Sequence, residues 1–240
     1  MVSRLTSQKG IDLLLDVLPA LLADNVQLAL LGSGEPGIEG WMRQETALNP
    51  GRVGSLVGYD EGLARLIYGG ADALLTETNQ DTLFIKAAVN ACKIAKAETK
   101  SDIPIFVQVT VETTGTLLVG PDIAAAATVI HALDVPLIGL NCATGPAEMS
   151  EHLRVLAKNS TVGISVMPNA GLPQLGPKGA TYPLSPEELA EYLENFVDSY
   201  GLTLVGGCCG TTPDHIRAIA NAVAKRKPRA FYKENAEVTA

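Results

Sequence analysis

The chain has 240 residues, of which 47% are hydrophobic and 18% charged, ample apolar material for the core of a soluble α/β domain. A formal net charge of −8 and an isoelectric point near 4.9 argue against a nucleic-acid partner, because such affinity rests largely on Lys and Arg neutralising phosphates. The opening residues Met1-Val2-Ser3-Arg4-Leu5-Thr6 lack the apolar core of a signal peptide, and the most apolar stretch, Ile123 to Leu140, is interrupted by His131, Asp134 and Pro136; a cytoplasmic protein with no membrane partner is expected.

Apolar runs of strand length alternate with amphipathic runs of helix length from one end to the other, the pattern of repeated βα units and a parallel sheet. The predicted strands, in chain order, are Val2–Leu5, Gln27–Leu31, Val53–Val57, Ala73–Leu75, Ile105–Val109, Leu137–Leu140, Gly163–Met167 and Leu202–Val205, each followed by a predicted helix. About eight βα units in a chain of this length predict a (β/α)8 barrel of TIM type, since an open doubly wound sheet usually stops at five to seven strands. The first strand looks truncated, because few residues precede Thr6. One α/β domain over 1–240 is expected, ending in a polar tail over 228–240. The basic run Lys225-Arg226-Lys227-Pro228-Arg229 reads as a helix end facing solvent.

Four cysteines without a secretory signal, two of them adjacent, point to metal binding or catalysis rather than a disulfide framework. Gly206-Gly207-Cys208-Cys209-Gly210-Thr211-Thr212-Pro213 follows one predicted strand and precedes a helix that Thr212 caps and Pro213 opens. Asn141-Cys142-Ala143-Thr144-Gly145-Pro146 follows another strand, so two strand ends aim thiols at the rim where βα barrels hold their active sites. Three thiolates with no fourth protein ligand match a catalytic zinc, which keeps one position open, whereas a structural zinc is closed by four ligands. A soft, thiolate-rich site favours a further sulfur ligand, and a thiol held deprotonated there is a nucleophile toward an alkyl group. The plainer alternative is that the paired thiols pack as small buried hydrophobes beneath the rim. Cys92, inside the predicted helix Ala87–Ala97, reads as packing only.

From about Gly70 to Arg226 the sequence resembles the homocysteine-binding barrel of the zinc-dependent homocysteine methyltransferase superfamily, in the form found in cobalamin-dependent methionine synthase. The resemblance rests on Leu75-Thr76-Glu77-Thr78 with Gln80-Asp81, Gly139-Leu140-Asn141-Cys142-Ala143 with Gly145-Pro146, Met167-Pro168-Asn169-Ala170-Gly171, and the Gly206–Pro213 run. It implies that Cys142, Cys208 and Cys209 are zinc ligands and that Glu77 holds the amino-acid end of homocysteine. Glu77 could instead be a capping or loop carboxylate, and Asn169 suits a turn as well as a substrate contact. The methyl donor would have to come from elsewhere, because no folate or cobalamin module lies within these residues.

The Gly-rich loop on the first strands of that family is not found here. Residues 1–72 resemble instead the nucleotide-binding domain of bacterial glycogen and starch synthases, glycosyltransferases of GT-B type. That resemblance implies a diphosphate held by Arg4 and Lys9, basic residues at a strand-to-helix turn where the helix amino terminus adds donors. Ordinary surface charge is the alternative. The two resemblances meet near Gly69–Leu75, which suggests a barrel-like chimera with a Rossmann-like first half. Methyl transfer is then expected to be impaired, because half of the substrate pocket is replaced. The competing readings are an engineered or recombined scaffold without turnover, and a glycosyltransferase remnant that lacks its acceptor lobe.

Overall fold

The computed structural model describes residues 1–7, 11–24, 26–176 and 179–228. The chain divides into two compact units, Met1–Asp72 with Ile94–Ile103, and Ala73–Lys93 with Pro104–Ala240.

The first unit runs α1 (Ile11–Ala23), β1 (Leu28–Gly32), α2 (Pro36–Leu48), β2 (Val53–Val57) and α3 (Glu61–Gly70). β1 and β2 pair in parallel, with Leu28 opposite Val53 and Gly32 opposite Val57. The predicted strand Val2–Leu5 is reduced to isolated bridges, Val2 to Leu31 and Leu5 to Gly34. Ser3 and Leu5 donate to the Leu31 and Ser33 carbonyls at 3.0 Å, and the Leu31 amide donates to the Met1 carbonyl at 2.9 Å, so the segment lies against β1 as bridges rather than as a full strand. Leu5, Ile11, Leu30, Ile38 and Met42 form a buried cluster against which Trp41 packs. α3 starts where Asp60 accepts from the Leu63 amide at 2.7 Å, satisfying one of the helix's unpaired donors.

The second unit holds the long parallel sheet. Its elements are β3 (Leu74–Asn79), the part of α4 (Thr82–Thr99) up to Lys93, β4 (Ile105–Val109), α5 (Ile123–His131), β5 (Leu137–Asn141), α6 (Pro146–Asn159), β6 (Gly163–Met167), β7 (Gln174–Gly176), β8 (Gly179–Thr181), α7 (Pro186–Tyr200), β9 (Leu204–Val205) and α8 (Pro213–Val223). The strand order is β3-β4-β5-β6-β9, every neighbouring pair parallel. Every residue of β5 is buried, as expected of a strand covered on both faces. Val107, Ile138, Ile164 and Val166 are fully buried in this sheet, as are Leu153 of α6 and Leu193 of α7. Burying each such side chain contributes roughly 1.5–3 kcal/mol.

The parallel βα order expected from the sequence is present from β1 onward, but among the described residues the strands form sheets of two, five and two rather than one sheet of eight. The predicted strand Ala73–Leu75 extends to Asn79, which puts Glu77 on β3 itself. The last predicted strand shrinks to Leu204–Val205. The antiparallel β7–β8 hairpin has no counterpart in the predicted elements; its residues are exposed and carry no apolar alternation. Among the described residues no helix is long and apolar enough to cross a membrane.

Candidate metal centre

Because the five strands are parallel, the segments that follow them leave from one edge. Cys142 directly follows β5, Asn169 lies just beyond β6, and Cys208 and Cys209 follow β9, while Glu77 sits near the carboxyl end of β3. The ligating atoms of Cys142, Cys208 and Cys209 all lie within 4.8 Å of one another. Cys142 Sγ is 3.8 Å and Cys208 Sγ 4.0 Å from Cys209 Sγ. Cys209 is exposed, whereas Cys142 and Cys208 are half-buried.

Each thiol is held by its backbone. Cys142 and Ala143 adopt left-handed conformations, with φ of 61° and 57°, a strained choice for residues bearing a Cβ. The Cys142 amide donates to the Met167 carbonyl at 3.1 Å, and the Thr144 amide returns to the Cys142 carbonyl at 2.7 Å, which holds the turn closed. On the other side, Asn169 Oδ1 accepts the Cys209 amide at 3.1 Å, and the Ala170 amide donates to the Cys209 carbonyl at 2.9 Å. Asn169 is 2% exposed, so its carbonyl oxygen is committed to the cysteine turn. Gly210 has φ of 79°, and a Cβ there would meet the ring of Tyr182 at 2.3 Å. Glycine is thus required twice over at this position.

Proximity also sets the proton distribution. Hydrogen bonds from Cys142 and Cys208 hold the Cys209 thiol well below its usual range. Cys208 is pushed far up by its hydrogen bonds with Cys142 and Cys209 and by burial. Burial, followed by the negative charge at Cys209, pushes Tyr182 up to about 12. The trio thus favours one thiolate on the most exposed sulfur, stabilised by its neighbours.

Behind the thiols, Thr212 opens α8 with its amide and hydroxyl 3.2 and 2.8 Å from His215 Nδ1, and His215 Nε2 lies 3.0 Å from the Leu184 carbonyl. An Nδ1 that accepts from the Thr212 amide leaves Nε2–H to donate to Leu184, which fixes the tautomer. Leu184 in turn donates its amide to the Ala170 carbonyl at 3.0 Å. His215 was not among the residues singled out from the sequence; its place three residues after a capping Thr was the available signal.

Glu77 is exposed, and its Oε2 accepts from Asn141 Nδ2 at 2.7 Å and from the Thr78 hydroxyl at 2.9 Å. Asn141, also not singled out, is 1% exposed. In the sequence it stands inside the Gly139–Ala143 motif, between an apolar strand and a cysteine, with no role of its own. Cys92 is half-buried on α4, and burial raises its thiol, in keeping with packing. In the first unit Arg4 is exposed, and Lys9 lies outside the described residues.

Fold and site together define an α/β protein with a candidate thiolate metal centre at the carboxyl ends of its parallel strands. Residues 55–223 match the Homocysteine S-methyltransferase family, and the chain belongs to it. The match begins inside β2, ahead of the Gly70 at which the sequence resemblance was drawn. The chain is 60% identical over 167 residues to a methionine synthase of Mycobacterium leprae, and 59% identical over 169 residues to one of Mycobacterium tuberculosis. Each alignment covers 70% of this chain but only 14% of the relative, so the chain spans about a seventh of the length of these curated relatives. Among solved structures, the apo homocysteine methyltransferase MmuM of Escherichia coli aligns with a TM-score of 0.54 at 22% identity, over 90% of this chain and 72% of that one. Its metallated form aligns with a TM-score of 0.53 at 21% identity, over 89% and 69%. These two likenesses concern the fold.

Proposed function

We propose that the second unit holds a zinc ion on Cys142, Cys208 and Cys209 and binds homocysteine through its sulfur for methyl transfer. The observation that carries this reading is the spacing of the sulfurs. Zinc–sulfur bonds of about 2.3 Å in a tetrahedron place neighbouring sulfurs about 3.8 Å apart. The separations of 3.8 and 4.0 Å are close to that value. A donor set of three thiolates fits a soft divalent metal and leaves a coordination position for a fourth sulfur. Zinc bound there would supply a thiolate at neutral pH by lowering the pKa of the incoming thiol.

The protein's own residues do the positioning. Glu77 faces the substrate ammonium, and Asn169 holds the Cys209 turn through its amide while bordering the same rim. The methyl donor comes from another segment of a longer protein or from a small molecule, and nucleic acid and membrane have no part. A reducing compartment such as the cytoplasm keeps the four cysteines as free thiols.

Turnover is proposed to be slow. One carboxylate grips the ammonium but not the substrate carboxylate, and a misplacement of about 1 Å can cost on the order of a hundredfold in rate. A chimeric scaffold without turnover makes the same prediction for zinc and differs only in leaving homocysteine unalkylated. The glycosyltransferase-like reading of residues 1–72, with Arg4 and Lys9 as phosphate ligands, rests on sequence alone. The test is to titrate homocysteine and simple thiols into the zinc-loaded protein and to assay methylation with a supplied donor. Zinc-dependent thiol binding with a modest preference for homocysteine is expected; binding of homocysteine that ignores zinc would overturn the proposal.

A further inference from the structure

Asn141 joins two parts of the site that stand far apart in sequence. Its Nδ2 donates to Glu77 Oε2 at 2.7 Å and to Thr78 Oγ1 at 2.9 Å, while its Oδ1 accepts the Thr78 amide at 2.9 Å. The Thr78 hydroxyl passes its own proton to Glu77 Oε2 at 2.9 Å, so the carboxylate oxygen is fixed by two donors that are themselves tied together. The Asn141 carbonyl is anchored by the Thr110 hydroxyl at 3.0 Å, and the next residue is Cys142. Thr78 and Cys142 are both left-handed, with φ of 56° and 61°. Such a conformation is costly for a β-branched residue and persists only where surrounding contacts determine it. The primary amide donates to the carboxylate and accepts from the Thr78 backbone through separate atoms: ionised aspartate loses the donor, and an apolar residue loses both.

We propose that Asn141 is a positioning residue that couples Glu77 to the Cys142 turn, so that recognition of the amino group of a thiol amino acid is set from the metal-ligand loop. This rests on the reading of Glu77 as the ammonium partner. The amide fixes one carboxylate oxygen and the backbone of Thr78, holding the charge at a constant distance from the sulfur position. A thiol whose amino group matches that distance is preferred over a thiol with none.

The experiment compares dissociation constants for homocysteine and 2-mercaptoethanol by calorimetry on the zinc-loaded full chain, in wild type, E77Q, N141D and the double variant, with zinc content measured on each. E77Q and N141D are each expected to reduce the homocysteine preference by about tenfold, the size of one charge-assisted contact. The double variant should lose no more than the more severe single variant, the signature of residues acting through one another. Zinc content and 2-mercaptoethanol affinity should stay at wild-type values. A fully retained preference in N141D, or additive losses in the double variant, would overturn the inference. Should N141D fail to hold zinc, T78V, which removes the hydroxyl arm of the network, is expected to lower the preference in part, and an unchanged preference there overturns the inference equally. An inert E77Q would remove the ammonium reading and this inference with it, whereas an effective E77Q with silent N141D and T78V would remove this inference alone.

Discussion

Cys142, Cys208 and Cys209 converge because Cys142 directly follows the buried strand β5, while Cys208 and Cys209 lie in the turn after the short, half-buried strand β9 of the same parallel sheet. Replacing any one by Ala removes one of three ligands and is expected to weaken zinc binding by at least about a hundredfold, as read by competition with a chromogenic chelator. Cys92→Ala should leave affinity unchanged; loss of zinc there would contradict the assignment. Zinc loading must also displace protons, because Cys208 is held as a thiol by its neighbours and by burial. A raised pKa means that the free site keeps this proton at neutral pH, so apparent zinc affinity should rise with pH; a flat profile between pH 6 and 8 would count against thiolate ligation. The cysteines were legible in the sequence because their spacing after apolar runs carries chemical meaning. Asn141 and His215 were not, because their roles depend on partners such as Glu77 and Leu184 that only the fold brings within hydrogen-bond range.

At the level of elements, the two cysteine turns are locked by what lies between β6 and α7. Tyr182 covers Gly210, Leu184 ties to Ala170 and to His215, and Asn169 grips Cys209. Gly210→Ala places a methyl group into the Tyr182 ring at a left-handed position and is expected to destabilise the protein by about 2 kcal/mol or more, measured as a shift in the denaturant midpoint. An unchanged midpoint would show that the ring moves aside freely. The sequence pattern located β4, β5 and β6 well, since continuous apolar runs report burial on both faces. It missed the β7–β8 hairpin, whose exposed residues give no periodic signal, and overextended the last strand, since apolar Leu202 packs into the core without joining the ladder. Val2–Leu5 was read as a strand from its composition, and its amides do bond along β1, but only as isolated bridges.

Across the whole molecule, the candidate cysteine centre and the family match lie mainly in the second unit, whereas the first carries its own small core around Leu30 and Met42. A metal that binds only the folded state stabilises it by about 2.7 kcal/mol at a hundredfold excess over its dissociation constant. Hydrogen exchange should therefore slow on zinc loading in the segments around 137–144 and 204–212, with β1 and β2 unaffected; uniform protection would contradict a site confined to the second unit. Sugar transfer from a nucleotide sugar to glucan by residues 1–240 should be undetectable, because glycosyl transfer depends on positioning a second substrate and the family matched over 55–223 is a methyltransferase. The parallel βα order was legible from β1 onward apart from the antiparallel β7–β8 pair, but the division into sheets was not, because local periodicity reports strands and not which strands pair. On the proposed function, three protein sulfurs hold zinc and leave a position for a substrate sulfur. X-ray absorption at the zinc edge, recorded with and without homocysteine, tests it most directly. Three sulfur neighbours at about 2.3 Å are expected in the free protein and four when homocysteine is bound. Fewer than three sulfurs, or a shell that homocysteine leaves unchanged, would contradict it.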